Sequence, residues 1–182
     1  WFDEKFSGFR IPTFEEVLTR YKGRLHFHTE VKGRSPSLPE RTADLIRKHG
    51  MEDEVTITSF QYRQLEAMRA CAPELPAGWL VREIDGETIS KAKKIGLLQL
   101  CPEAKIVTPG LVERLHDEGF VARAWGVTTE ALMQRVVEAG ADGMTVNFPD
   151  KLIAYLKERN LAWEERPGIH GKYRQQRSFC SE

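Results

Sequence analysis

Leu25-His26-Phe27-His28-Thr29-Glu30-Val31-Lys32 alternates strictly between two kinds of side chain. His26, His28, Glu30 and Lys32 share one face; Leu25, Phe27, Thr29 and Val31 share the other. Such alternation predicts a β-strand. Neighbours on one strand face lie roughly 6.5–7 Å apart, so Glu30 and Lys32 can act on one bound group, the carboxylate on a cation and the ammonium on an anion. An apolar face backed by an ionisable face suits the wall of a (β/α) barrel, where helices cover the outside and the C-terminal strand ends line a site. Gly33 and the polar loop Arg34-Ser35-Pro36-Ser37 follow at once, which makes Glu30 and Lys32 the C-terminal end of the strand. The same pattern also suits a half-exposed antiparallel strand whose charges are solvated.

Working outward, the 182 residues suit one domain with room for a sizeable core. With 41% hydrophobic and 30% charged residues, the composition is that of a folded globular protein. The formal net charge is zero and the basic residues are scattered, which argues against a nucleic-acid or anionic-membrane surface. Cys71, Cys101 and Cys180 form no CxxC and are odd in number. No disulfide framework is expected, and a reducing, cytoplasmic compartment is favoured. No apolar run is long enough to span a bilayer. The sequence begins at Trp1 without methionine, so an N-terminal segment is expected to be missing.

Strand and helix signals alternate along the chain. Thr13 and Glu16 form a capping box before the apolar stripe Phe14, Val17, Leu18, Tyr21, and Gly23 closes that helix. A helix over about 38–49 follows the first strand and ends at Gly50. The β-branched run Glu54 to Ser59 predicts a strand, then a helix over about 61–72. Short strands are expected near 78–82 and 97–100, with a helix over about 85–95 between them. Thr108-Pro109 opens another helix. A strand over 120–127, a helix over 128–139, a strand over 143–146 and a final helix from 148 to about 159 complete the pattern. About six strands alternating with helices imply a parallel sheet with helices outside it. The pattern does not choose between an open doubly wound sheet and a barrel, but no Gly-rich phosphate fingerprint follows any strand. Residues 1–160 therefore read as one α/β unit, and the polar tail 161–182 reads as poorly ordered.

Five segments in this order resemble the glycerophosphodiester phosphodiesterase family. Ile11-Pro12-Thr13-Phe14-Glu15-Glu16-Val17-Leu18 is similar to its "IPTLEEVL", Glu30-Val31-Lys32 to its "E-I-K", and Thr58-Ser59-Phe60 to its "SSF". Trp125-Gly126-Val127-Thr128 is similar to its "WTVN", and Gly143-Met144-Thr145-Val146-Asn147-Phe148-Pro149-Asp150 to its final "GIITDYPD". The resemblance runs from about residue 10 to 158. It implies a TIM barrel that hydrolyses glycerophosphodiesters in lipid metabolism, releasing glycerol 3-phosphate and an alcohol, with a divalent metal, Mg2+ or Ca2+. The family's His-Arg-Gly, Glu-x-Asp and His-Asp motifs do not occur here. The resemblance thus implies an incomplete barrel, about six of eight βα units, lacking two metal-binding carboxylates and both acid/base histidines. Gly126, Val146 and Asn147 depart from the family pattern at the rim, which leaves substrate preference open.

On this resemblance Glu30 is the expected metal ligand, a hard oxygen donor. Lys32 is expected to hold a phosphate oxygen and stabilise charge in the transition state. Trp125 and Phe60 are expected to wall the substrate site, each with core packing as its alternative. His26 and His28 lie deeper on the strand of Glu30 and read as barrel filling rather than ligands. Ser59 is a candidate rim hydrogen bonder, and Cys101 a candidate lining residue without a thiolate-activating neighbour. His49 and His116 read as surface residues near helix C-termini.

The expected function is a fragment of a metal-dependent phosphodiester hydrolase that is inactive as this chain alone. Two alternatives stand beside it: a non-catalytic relic or interaction module that retains the fold, and some other phosphate-handling barrel. Six strands without two partners would leave open edges at 25–32 and 143–146, which invites self-association.

Overall fold

The computed structural model describes residues 3–161. Six parallel strands run in the order of the chain: β1 (Phe27–Glu30), β2 (Val55–Ser59), β3 (Ala77–Val81), β4 (Gln99–Pro102), β5 (Val121–Val127) and β6 (Gly143–Val146). Seven helices accompany them: α1 (Phe14–Tyr21), α2 (Leu38–His49), α3 (Tyr62–Cys71), α4 (Gly86–Lys94), α5 (Pro109–Asp117), α6 (Glu130–Glu138) and α7 (Pro149–Glu158). Each strand is followed by a helix, and the sheet curls into a half-barrel. The barrel reading of the alternation holds, and the antiparallel alternative for the first strand does not. The tail expected to be poorly ordered lies, apart from Leu161, outside the described residues.

The helix starts follow their caps. Thr13 and Glu16 form the reciprocal capping box of α1. Asp85, Thr108 and Thr129 each accept a backbone N–H of the helix they open. Pro39 and Pro109 occupy first-turn positions whose N–H would lack a partner anyway. Short 3-10 turns at Glu4–Phe6 and Ala104–Ile106 were not evident from periodicity.

The two faces of the sheet are chemically distinct. Phe27, Val55, Ile57, Ala77, Leu100, Ala122 and Ala124 pack outward into the helix layer. Facing the concave side are His28, Thr56, Thr58, Gly78, Leu80, Gln99, Cys101 and Arg123. One row of register partners crosses five strands as Glu30, Thr58, Gly78, Gln99 and Val121. Gly78 is required in that row, because a Cβ there would lie 2.8 Å from Gln99 Cβ and 3.2 Å from Cys101 Sγ. Among the described residues β1 pairs only with β2 and β6 only with β5, so both outer edges are open, as the sequence led us to expect.

Candidate active site at the C-terminal mouth

The mouth is built by the residues at and just beyond the strand ends. Val31 donates its N–H to the Thr58 carbonyl at 2.8 Å and buries its side chain in the helix layer. That orientation turns the flanking residues, Glu30 and Lys32, to the concave side. Both are exposed. Gln64 of α3 donates to the Gly33 carbonyl at 2.8 Å, which pins the loop that leaves the strand. The two charged groups that sequence placed together therefore do share one face, and neither is held by a hydrogen bond or ion pair to another described residue. The structural Glu30–Lys32 ion pair, an alternative to a ligand role, is not formed.

Trp125 is brought to the same mouth by a β-bulge. Ala124 pairs with Met144, and Val127 with Val146, so three steps on β5 match two on β6. Gly126 supplies the extra residue at φ +71°, a left-handed conformation that favours glycine. Trp125 points into the concavity while Val127, which strict alternation would also send inward, turns outward into the helix layer. The Trp125 indole Nε1–H donates to the Val81 carbonyl at 3.1 Å. Its ring meets Phe60 edge to face, with centroids 4.8 Å apart. A side chain from β5 thus reaches the residue that follows β2, across the hollow of the curled sheet. Phe60 is half-buried in this contact rather than part of the helix-side core.

Arg82, just past the end of β3, completes the group. Its Cζ lies 5.5 Å from the Phe60 centroid and 5.6 Å from that of Trp125. Nothing in the sequence marked it, since an arginine after a strand is an ordinary solvated charge until two rings from other strands are placed under it. Glu103 also faces this rim: it bridges Trp125, its side chain is only 22% exposed, and it lies 3.6 Å from Lys105 Nζ.

Below the mouth the hollow is polar. His26 Nε2 and Thr56 Oγ1 are 2.8 Å apart, and the His26 and His28 rings are 5.4 Å apart. Burial, then the charges of Arg123 and His26, push the His28 imidazole down to about 3, and its Nδ1 is buried with no hydrogen-bond partner among the described residues. It is a neutral filling group, as expected for its depth. Cys101 is fully buried here rather than lining the mouth, and burial pushes its thiol up to about 12. The Ser59 hydroxyl is also buried: it donates to the Val31 carbonyl at 2.8 Å and accepts from Gln61 N–H, so it ties strands together and is not free at the rim. His49 and His116 differ from the surface reading as well. Each is half-buried against a carboxylate, His49 at 3.3 Å from Glu15 and His116 at 2.8 Å from Asp142.

Among the described residues no three or more His, Cys, Asp or Glu side chains converge to hold a metal ion. Glu30 is one oxygen donor, and a hard cation such as Mg2+ or Ca2+ takes about six to eight oxygens. The described donor set does not by itself make a metal centre. No described helix is long and apolar enough to cross a membrane.

Comparison with known proteins gives the family of the chain. A glycerophosphodiester phosphodiesterase of Caldanaerobacter subterraneus subsp. tengcongensis is 30% identical over 162 residues, covering 86% of this chain and 66% of that protein. The crystal structure of a glycerophosphodiester phosphodiesterase from Parabacteroides distasonis superposes with a TM-score of 0.74 at 19% identity, over 82% of this chain and 65% of that one. An Oleispira antarctica phosphodiesterase, solved with the product sn-glycerol-3-phosphate, gives 0.72 at 19% identity over 81% and 62%. The chain thus spans about two thirds of the length of these relatives. The description "Glycerophosphoryl diester phosphodiesterase family" matches residues 1–151, and it is to this family that the chain belongs.

Proposed function

We propose that this chain is the C-terminal part of the barrel of a glycerophosphodiester phosphodiesterase, a phosphoric diester hydrolase that releases sn-glycerol 3-phosphate and an alcohol. The observation that carries the reading is the Phe60–Trp125 pair at the C-terminal ends of the strands, the same end at which Glu30 and Lys32 close β1. Lys32 is the group for the phosphate. Its ammonium stands exposed on the concave side, where a phosphoryl oxygen would gain charge during hydrolysis. Trp125 and Phe60 form an apolar wall for the glycerol or head-group carbons. Glu30 is proposed as one oxygen ligand to Mg2+ or Ca2+; a functional centre needs further donors beyond those of the described residues.

Hydrolysis also needs a proton donor for the leaving alkoxide. The described histidines do not stand at the mouth: His28 is enclosed in the hollow, His26 precedes β1 at the opposite end and is exposed rather than the filling group expected, and His49 and His116 lie on helices. The 182-residue chain alone is therefore proposed to be inactive while still binding the glycerol phosphate moiety. Titration with sn-glycerol 3-phosphate, followed at the Trp125 indole, tests this. Saturable binding in the native chain, lost in Lys32→Ala, is the expected result; no response of Trp125 overturns the site. Metal-dependent turnover of glycerophosphocholine far above blank by the purified chain overturns the inactivity.

The same lack of a mouth histidine among the described residues favours, as a second reading, a non-catalytic interaction module that keeps the fold. The open edges of β1 and β6 are the surfaces through which it would self-associate. Sedimentation velocity tests that association: mass that rises with concentration supports it, and a monomer across the range rejects it.

A further inference from the structure

We propose that Arg82 sets the head-group preference of this mouth, selecting glycerophosphodiesters with neutral polyol head groups over those with quaternary ammonium head groups. The proposal rests on the phosphodiester reading above and adds to it the class of leaving alcohol.

An aromatic pair beside a phosphate site would ordinarily suit a quaternary ammonium, because the ring faces attract cations. Here that place is already taken. The Arg82 guanidinium lies 5.5 Å from the Phe60 ring and 5.6 Å from the Trp125 ring. The rings are themselves fixed, by their mutual edge-to-face contact and by the indole hydrogen bond to Val81, the residue that carries Arg82 into the mouth. A second cation would meet a fixed positive charge where it needs electron-rich surface. The two ring contacts keep the guanidinium beside the aromatic pair and leave its N–H groups unused, since Arg82 has no hydrogen bond or ion pair to another described residue. A planar fork of N–H donors with no acceptor of its own suits vicinal hydroxyls or an anionic oxygen. Lys32 follows Val31, which is hydrogen-bonded to both Thr58 and Ser59 of β2, so its backbone runs beside that of Phe60. Phosphate at Lys32 would then put the alcohol half of the diester within reach of the Phe60–Arg82 stack.

The test uses the 182-residue chain with 15N-labelled indoles. Its four tryptophans give four candidate signals, and Trp125→Phe assigns the one that matters. Three probes are titrated: sn-glycerol 3-phosphate, glycerophosphoinositol and glycerophosphocholine. The native chain is expected to bind glycerophosphoinositol about tenfold more tightly than glycerophosphocholine, a difference of about 1.4 kcal/mol. Arg82→Met, which keeps the stem and removes the charge, is expected to bring the ratio to within about twofold, with Arg82→Lys between the two because it keeps charge without the fork. Binding of sn-glycerol 3-phosphate is expected to weaken less in Arg82→Met than in Lys32→Ala, since Lys32 is the group proposed for the phosphate. Equal affinities for the two diesters in the native chain, or a ratio unmoved by Arg82→Met, would overturn the role of Arg82 and leave the phosphodiester site standing. No perturbation of Trp125 by any of the three probes would overturn the site itself.

Discussion

The two faces of the half-barrel sheet obey different rules. On the convex side the strands present Val55, Ile57, Leu100 and Ala122, all with no exposed surface, to a layer of amphipathic helices. On the concave side the same strands present His28, Thr56, Gln99 and Arg123, and at the mouth the exposed Glu30, Lys32 and Arg82. Except at the β5 bulge, residues on one face alternate with residues on the other, so the same strands supply both. The difference teaches where stability and chemistry reside. The helix layer is a closed apolar core and holds the fold; the hollow carries charge that contributes little to holding it. That division can be challenged from both sides.

The largest expected effect is on the convex face. Ile57→Ala removes a fully buried side chain and should destabilise the chain by about 3 kcal/mol, within the usual range for large-to-small core changes. Urea unfolding followed by far-ultraviolet circular dichroism measures it. A loss below about 1 kcal/mol would mean that the helix layer is not the main core.

A second, smaller effect belongs to the hollow. His28 is held neutral because burial, the Arg123 charge and then His26 disfavour the imidazolium. Its folded value, about 3, lies below the ordinary value of 6.5. The unfolded chain therefore binds the proton more readily. The contribution of neutral His28 is complete above the unfolded value and is progressively lost as pH falls from 6.5 towards 3. The slope from one such group reaches at most about 1.4 kcal/mol per pH unit. Between pH 7 and pH 5, before most carboxylates titrate, His28→Gln should flatten the pH dependence of stability measured by urea unfolding. Parallel curves for the two proteins would show that the hollow is wetter than the structure indicates.

These contrasts also explain what the sequence did and did not disclose. The β-branched run Val55 to Ser59 and the capped helices were legible because local chemistry and tertiary burial agree there. Strand β4 was expected over 97–100 and lies at Gln99–Pro102, since Leu97 and Leu98 are apolar but lie before the first register pair, Gly78 with Gln99. Glu30 and Lys32 were legible as a pair because period-two spacing is a local property. Arg82 was not, because its significance depends on rings donated by Phe60 and Trp125, which only the curl of the sheet brings together. His49 and His116 look like helix-end surface residues in sequence; their carboxylate partners, Glu15 and Asp142, are distant in the chain.

The bulge in β5 is where the two faces are kept apart, and it yields an intermediate effect. Gly126→Ala places a Cβ at φ +71° in ordinary contact with Glu103, 3.7 Å from its Cγ. The strain is therefore conformational rather than steric, and about 1 kcal/mol of destabilisation is expected. Relief of that strain by straightening the strand would turn Val127 inward and disturb Trp125. The measurement is thus paired: unfolding for the energy, and the Trp125 indole signal for the geometry. Lost stability with an unmoved indole signal shows that the bulge holds; a shifted signal with native-like stability shows that glycine is not what fixes the tryptophan.

The smallest effect is the most discriminating. Glu30→Gln keeps size, exchanges one acceptor oxygen for an amide donor and removes one charge at the mouth. Were Glu30 part of the structural framework, paired with Lys32 across the strand end, its loss would leave a cation without its partner and lower the melting temperature. In the structure no such pair forms, both side chains are exposed, and the strand is secured instead by Val31 in the helix layer and by the Val31–Thr58 and Ser59–Val31 hydrogen bonds. The melting temperature of Glu30→Gln in metal-free buffer should therefore equal that of the native chain within error. A clear drop would move Glu30 from the chemistry of the hollow to the mechanics of the fold, and with it the proposed metal ligand. An unchanged value leaves that carboxylate free for a cation, as expected for an inward acidic group that the fold itself does not use.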